Sequence, residues 1–99
     1  MGAFLRRAYP SDIRGGGKMM KIHNLKIQAQ YALPKLNGDK MFEIRKNDRY
    51  YEVGDIVLYS VVDDPELNKK MFGKFYQITY ITDYAQQNGY VVFGEKEWI

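Results

Sequence analysis

The stretch from Asp55 to Val62 most limits what this 99-residue chain can become. Ile56, Leu58 and Ser60 alternate with Val57, Tyr59 and Val61, the two-residue period of a β-strand. Both faces are mostly apolar, so the strand belongs in the interior of a sheet that is covered on each side. Such a strand needs neighbours. Lys21 to Ile27, Lys40 to Arg45, Lys74 to Thr82 and Gly89 to Gly94 supply four further candidates. Nine Tyr, five Phe and one Trp favour sheet over helix. Asn88-Gly89, the strongest turn dipeptide in the chain, joins the last two candidates as a hairpin.

Between the first two candidates lie residues 28–37, with Tyr31, Leu33 and Leu36 near helical spacing. Pro34 removes a hydrogen bond and clashes one turn back. The segment therefore reads either as a short, kinked helix or as a turn followed by a helix that starts at Pro34. Asn37-Gly38 supplies the stop, since both tolerate left-handed backbone angles. In the first strand Ile22, Leu25 and Ile27 break strict alternation, which predicts a bulge or bend near Asn24. Residues 63–73 open with the turn Asp63-Asp64-Pro65-Glu66 and read as a mixed-charge loop ending at Gly73. The expected architecture is a β-rich α+β domain, a small barrel of about five to six strands with one or two short helices.

Residues 1–18 read as a leader ahead of a single domain at 19–99, with Gly15-Gly16-Gly17 as a flexible hinge. Such a segment is either an appended remnant or disordered tail, or a basic arm that touches a polyanion. It also accounts for the whole formal charge. The chain carries +3, and Arg6, Arg7, Arg14 and Lys18 against Asp12 already supply it. Within 19–99 the charge is zero but segregated: residues 19–49 are net basic and residues 50–99 net acidic. If the fold keeps those halves on different faces, one face attracts an anion while the other repels it.

The chain has no Cys, which excludes a disulfide framework, thiolate chemistry and Cys-type zinc sites. With His23 the single histidine, a multi-histidine metal site is excluded as well. A carboxylate-only Mg²⁺ or Ca²⁺ site is left open, but no Asp/Glu spacing matches a known loop, so no metal or cofactor is expected. No apolar run approaches the roughly 20 residues of a membrane span. A cytoplasmic monomer with no membrane contact is the expectation.

The chemistry concentrates in Gly38 to Arg49. Four cations (Lys40, Arg45, Lys46, Arg49) and three anions sit there around an apolar beat at Met41, Phe42 and Ile44. On a strand from Lys40 to Arg45, Phe42 and Ile44 share one face, and Met41, Glu43 and Arg45 the other. Lys40 and Arg45, five apart, face opposite ways unless the strand bends.

Gly38-x-Lys40-x-x-Glu43-x-Arg45 matches the G-x-K-x-x-E-x-R signature of the ASCH superfamily, which is similar in fold to PUA domains. The wider run resembles a small stand-alone group in that superfamily, labelled as a domain of unknown function. Its further blocks appear here as His23-Asn24-Leu25-Lys26, Gly54-Asp55 and Gly89 to Val92, so the match spans residues 22–93. The resemblance implies a PUA-like pseudo-barrel with a cleft beside the motif, and a role in binding RNA or a nucleotide. One branch of ASCH proteins hydrolyses N4-acetylcytidine with a Lys, a Thr three residues later and a Glu from a later strand. Lys40 aligns with that Lys, but Glu43 stands where the Thr would be. Glu95 and Glu97 are the late candidates for the third member. The activity is therefore not transferred, and amidase chemistry on a modified nucleoside, with Lys40 and Glu43 as catalytic candidates, stands as the alternative to binding.

The candidate ligand-contacting residues are His23, Lys26, Lys40, Glu43, Arg45, Lys46, Asn47, Arg49 and Tyr50. Each has an ordinary structural role as competitor. Glu43 and Arg45 can form a same-face salt bridge, or Glu43 can orient Arg45 for a phosphate or base edge. Lys46, Asn47 and Arg49 are either solvated turn residues, with Asp48 as a local cap, or a phosphate-gripping loop. His23 is either a packed, hydrogen-bonded histidine or a ligand contact. Tyr50 and Tyr51 follow the basic loop and are the best placed tyrosines for stacking on a base. A third class of role is a protein-interaction module using the acidic half.

Overall fold

The apolar alternation at residues 55–62 does build the interior of a sheet. In the computed structural model, which describes residues 20–98, the elements run β1 (Ile22–Ile27), α1 (Ala29–Leu36), β2 (Phe42–Lys46), β3 (Ile56–Val61), α2 (Pro65–Met71), β4 (Phe75–Thr82) and β5 (Tyr90–Trp98). The strands form one sheet in the order β1-β3-β4-β5-β2. β1 runs parallel to β3, and every other pairing is antiparallel. The sheet curls into a half-barrel, a β-rich α+β pseudo-barrel with two helices. The leader at residues 1–18 lies outside the described residues.

β3 is interior, flanked by β1 and β4, and Val57, Tyr59 and Val61 join the core. Tyr76, Ile78 and Ile81 of β4 and Val91 and Phe93 of β5 complete its floor. The curl has a local cause. Between Ile78 and Tyr80 the β4–β5 register shifts, and such an extra residue bends the strand that carries it. Gly94 lies opposite this irregularity, where a Cβ would meet Thr79 Oγ1 at 3.3 Å. A larger residue there would press on the bend.

β1 differs from the expected bulged strand. It pairs with β3 without interruption, and its buried residues are His23, Leu25 and Ile27 in perfect alternation. The apparent irregularity came from counting Ile22 as a core residue, whereas Ile22 is exposed and His23 takes the inward position.

α1 follows the first of the two alternatives, a short helix that continues through Pro34. Its buried residues are Ala32 and Lys35, while Tyr31 and Leu33 point outward. Gln28 gives no side-chain cap; instead Asp63 Oδ1 accepts from the Ala29 N–H at 2.8 Å. The Pro34 carbonyl accepts from both Asp39 and Lys40 N–H groups, and Gly38 adopts φ +83°. This turn delivers the chain to β2 in a geometry that favours glycine.

Residues 63–73 are not a loop but contain α2. Asp64 accepts from the Leu67 N–H at 3.0 Å as N-cap, and Pro65 occupies the first turn. The Asp64-Pro65 pair is a legible helix start, and Leu67 and Met71, four apart, are its buried stripe. Among the described residues no helix is long and apolar enough to cross a membrane.

Candidate functional site: a buried charge network beneath the edge of the half-barrel

β2 turns its polar side inward. Phe42 and Ile44 are 42% and 56% exposed, whereas Glu43 between them is 4% exposed. Two carboxylates thus enter the barrel from neighbouring strands, because Glu95 of β5 is also buried. Burying two anions side by side is unfavourable without countercharge. That countercharge comes from α1: Lys35, 1% exposed, sends its ammonium between them, at 2.9 Å from Glu43 Oε2 and in direct contact with Glu95 Oε2.

The network is fully hydrogen-bonded. Lys35 Nζ also donates to the carbonyls of Lys40 and Phe42 at 3.2 and 3.3 Å. Lys40 donates to Glu43 Oε2 at 2.7 Å and to the Phe42 carbonyl at 3.0 Å. Arg45 Nε donates to Glu43 Oε1 at 3.0 Å, and its Nη2 to the Lys26 carbonyl at 2.9 Å. From below, the Tyr59 hydroxyl donates to Glu95 Oε1 at 2.7 Å, and the Lys35 ammonium lies over the Tyr59 and Tyr76 rings. No buried side-chain nitrogen or oxygen among the described residues lacks a partner. Lys40 and Arg45 both reach Glu43 because Lys40 precedes the strand and is free of its alternation.

The two carboxyls are driven apart. Burial by itself would raise Glu43, but the Lys35 charge and hydrogen bonds from Lys40 and Lys35 hold it below its ordinary value. Burial dominates at Glu95 and raises it, and Lys35 and the Tyr59 hydroxyl offset this only in part. Burial and the neighbouring Glu95 and Glu43 charges push the Tyr59 phenol well above its usual range. Tyr76 is pushed up to about 12, by burial first and then by Glu97 and Glu95.

Above the network the surface opens into clefts along β2. One, of about 370 Å³, has Lys26, Arg45, Lys46 and Arg49 on its walls with Asn24, Leu25, Asp48 and Tyr51. A second, of about 520 Å³, is lined by Tyr31, Lys40, Phe42, Glu43 and Ile44. Lys40 Nζ lies 5.6 Å from the Tyr31 ring centre and 5.2 Å from that of Phe42.

The candidates separate accordingly. Lys26, Lys40, Glu43, Arg45, Lys46 and Arg49 gather along these clefts. His23 does not: it is buried, with Nε2 2.8 Å from Asp55 Oδ2 and its ring packed on Tyr51. Asp55 also accepts from the N–H groups of Lys21 and Glu52, so Gly54-Asp55 is the buckle between β1 and β3. Asn47 lies on a different depression and accepts from the Tyr51 N–H at 3.1 Å, the capping role expected of Asp48. Tyr50 is 76% exposed at φ +51° and lines none of the clefts described. Tyr51 packs between His23 and Phe93 and offers no free ring face. Glu95, not Glu97, joins the network; Glu97 pairs with Lys74 at the surface.

Lys35 is the network residue that sequence reasoning passed over. Its signal was weak, a lysine three residues after Ala32 on the same helical face. Among the described residues no cluster of three or more His, Asp or Glu is placed to hold a metal ion.

Residues 22–94 match a family model described as "Domain of unknown function (DUF3850)". The chain is also similar to an uncharacterized 12.9 kDa protein in the GpA 3′ region of Escherichia phage P2, 35% identical over 69 residues. That alignment covers 69% of this chain and 63% of the phage protein. The match takes in β1 to β4, both helices and the first part of β5, ending at Gly94 just before Glu95, and the chain belongs to the DUF3850 family.

Proposed function

We propose that this domain binds RNA or a nucleotide through its phosphates, at the cleft between the two edge strands. The observation that carries this reading is the convergence of Lys26, Arg45, Lys46 and Arg49 on one cleft, with Asp48 as the acid on its wall. Arg45 is preorganised there. Glu43 and the Lys26 carbonyl fix its guanidinium from two sides, and its remaining donors are available to an anion. Lys35 offsets one of the two buried negative charges from within, and Lys40 and Arg45 share the other, which leaves Lys26, Lys46 and Arg49 as the cleft's uncommitted cations among its lining. The resemblance of Gly38-x-Lys40-x-x-Glu43-x-Arg45 to the ASCH signature agrees with the reading.

The test is fluorescence anisotropy with a labelled single-stranded RNA across a salt series. Each phosphate contact contributes about −0.7 to the slope of log affinity against log salt. Lys46→Ala/Arg49→Ala is expected to weaken binding at least tenfold and to flatten the slope by about 1.4. Unchanged affinity and slope would sink the proposal.

A second reading is hydrolysis of an N-acylated nucleoside such as N4-acetylcytidine. Its support is that Lys40 and Glu43 belong to one network with Glu95, distant in sequence, beside a roomy cleft. The carboxylate of Glu43, where a hydroxyl would be wanted, counts against it. Chromatography after incubation at pH 6 to 9, with Lys40→Met as control, decides the matter: no turnover removes this reading.

A further inference from the structure

Three clefts along β2 share walls and make one groove with two chemically different ends. The cationic cleft shares Lys26 and Arg45 with a middle depression of about 260 Å³, which adds Gln28 and Tyr31. That depression shares Tyr31, Glu43 and Ile44 with the cleft of Lys40 and Phe42. Along the groove the lining passes from ammonium and guanidinium groups to exposed rings: Tyr31 and Phe42 are 46% and 42% exposed.

Building on the reading of the cationic cleft as a phosphate site, we propose that the groove holds a short single strand of RNA in one orientation. A base lies against the Tyr31 and Phe42 rings, and the phosphates that follow it lie toward Lys46 and Arg49. The two ends of the groove call for a ligand that carries both a base and phosphates. A polyphosphate would leave the rings uncovered, and an apolar peptide would leave the cations without counterions. Two of the three Lys40 donors are taken, by the Phe42 carbonyl and Glu43 Oε2, leaving one to meet an acceptor on the base. Length decides between a strand and a single nucleotide. Phe42 to Lys46 spans about 13 Å at roughly 3.3 Å per strand residue. Stacked nucleotides advance about 3.4 Å each, so the groove outruns one nucleotide.

The test compares a fluorescein-labelled RNA trinucleotide, a nucleoside monophosphate and inorganic tripolyphosphate against two double variants. Tyr31→Ala/Phe42→Ala is expected to weaken the trinucleotide roughly tenfold or more, the worth of a stacked base, and to leave tripolyphosphate unchanged. Lys46→Ala/Arg49→Ala is expected to weaken both. Tyr31→Leu/Phe42→Leu, which keeps apolar bulk without a ring, is expected to show the same selective loss and guards against misfolding. If both ring variants leave the trinucleotide unchanged while the cation variant weakens it, the oriented groove is overturned and the phosphate cleft stands. If the nucleoside monophosphate binds as tightly as the trinucleotide, the strand is overturned. If wild type binds none of the three, the phosphate reading and this inference fall together.

Discussion

Arg45 on β2 donates to the backbone carbonyl of Lys26 on β1 at 2.9 Å, joining the two strands that end the sheet. A half-barrel exposes two strand edges, and exposed edges invite unwanted pairing. Here a guanidinium held by Glu43 spans them, so the charge that lines the cleft also closes the mouth of the fold. Arg45→Lys would keep the charge but lose the planar fork that reaches Glu43 and Lys26 together. It is expected to destabilise the domain by about 1–3 kcal/mol and to speed amide exchange at the facing ends of β1 and β2. Hydrogen exchange by NMR checks this; protection equal to wild type would refute it.

Lys35 is the countercharge for two buried carboxylates. Lys35→Met removes it while keeping the apolar stem, and uncompensated buried charge typically costs about 3–5 kcal/mol. A urea midpoint within experimental error of wild type would show that the ammonium is dispensable. Combining Lys35→Met with Glu95→Gln is expected to cost less than the sum of the two, since the second change removes one of the stranded anions.

The two carboxyls give opposite pH signatures. Glu43, held low, contributes stability that is present above its ordinary value of 4.5 and lost as pH falls through its folded value. Glu95, held high, favours the folded state at low pH. Its contribution fades as pH rises from 4.5 through its folded value. Glu95→Gln should therefore remove a decline on the neutral side of 4.5, and Glu43→Gln should flatten the acid limb below it. Denaturation midpoints from pH 3 to 7 read both slopes; identical slopes in all three proteins would contradict the assignment.

Asp55 ties β1 to the head of β3 by accepting from Lys21, Glu52 and His23. Asp55→Ala leaves the buried His23 ring and two half-buried N–H groups without this acceptor, at about 1–3 kcal/mol for each one that water cannot reach. The cations of the cleft are untouched by this change, so stability should fall while any RNA affinity of the wild type, at a temperature well below unfolding, stays within twofold. Loss of affinity in a folded Asp55→Ala protein would place this cluster in the site.

Much of the scaffold was legible in the chain. Alternation marked β3 and β2, and β-branched and aromatic content between turn signals marked the other strands within a few residues, because such side chains suit a pleated, half-buried surface. Asn37-Gly38 and Asn88-Gly89 marked their turns through backbone preference alone. α2 was overlooked although Asp64-Pro65 announces it; the charged residues after it resemble a loop when the Leu67–Met71 stripe is not weighed. The bulge expected in β1 rests on counting Ile22 as the inward residue in place of His23. Asp55, distant in sequence, is what lets His23 turn inward.

By itself the sequence determined a β-rich domain and the concentration of charge at Gly38 to Arg49. Only the tertiary structure decided which way that charge faces. An apolar beat at Phe42 and Ile44 argues for burying those residues, and local pattern holds no reason to do otherwise. The reversal depends on Lys35 arriving from α1 and Glu95 from β5, 60 residues further along the chain. Countercharge supplied across such a separation makes an inward carboxylate stable. It leaves Phe42, Tyr31 and the outer cations at the surface, where a ligand can reach them.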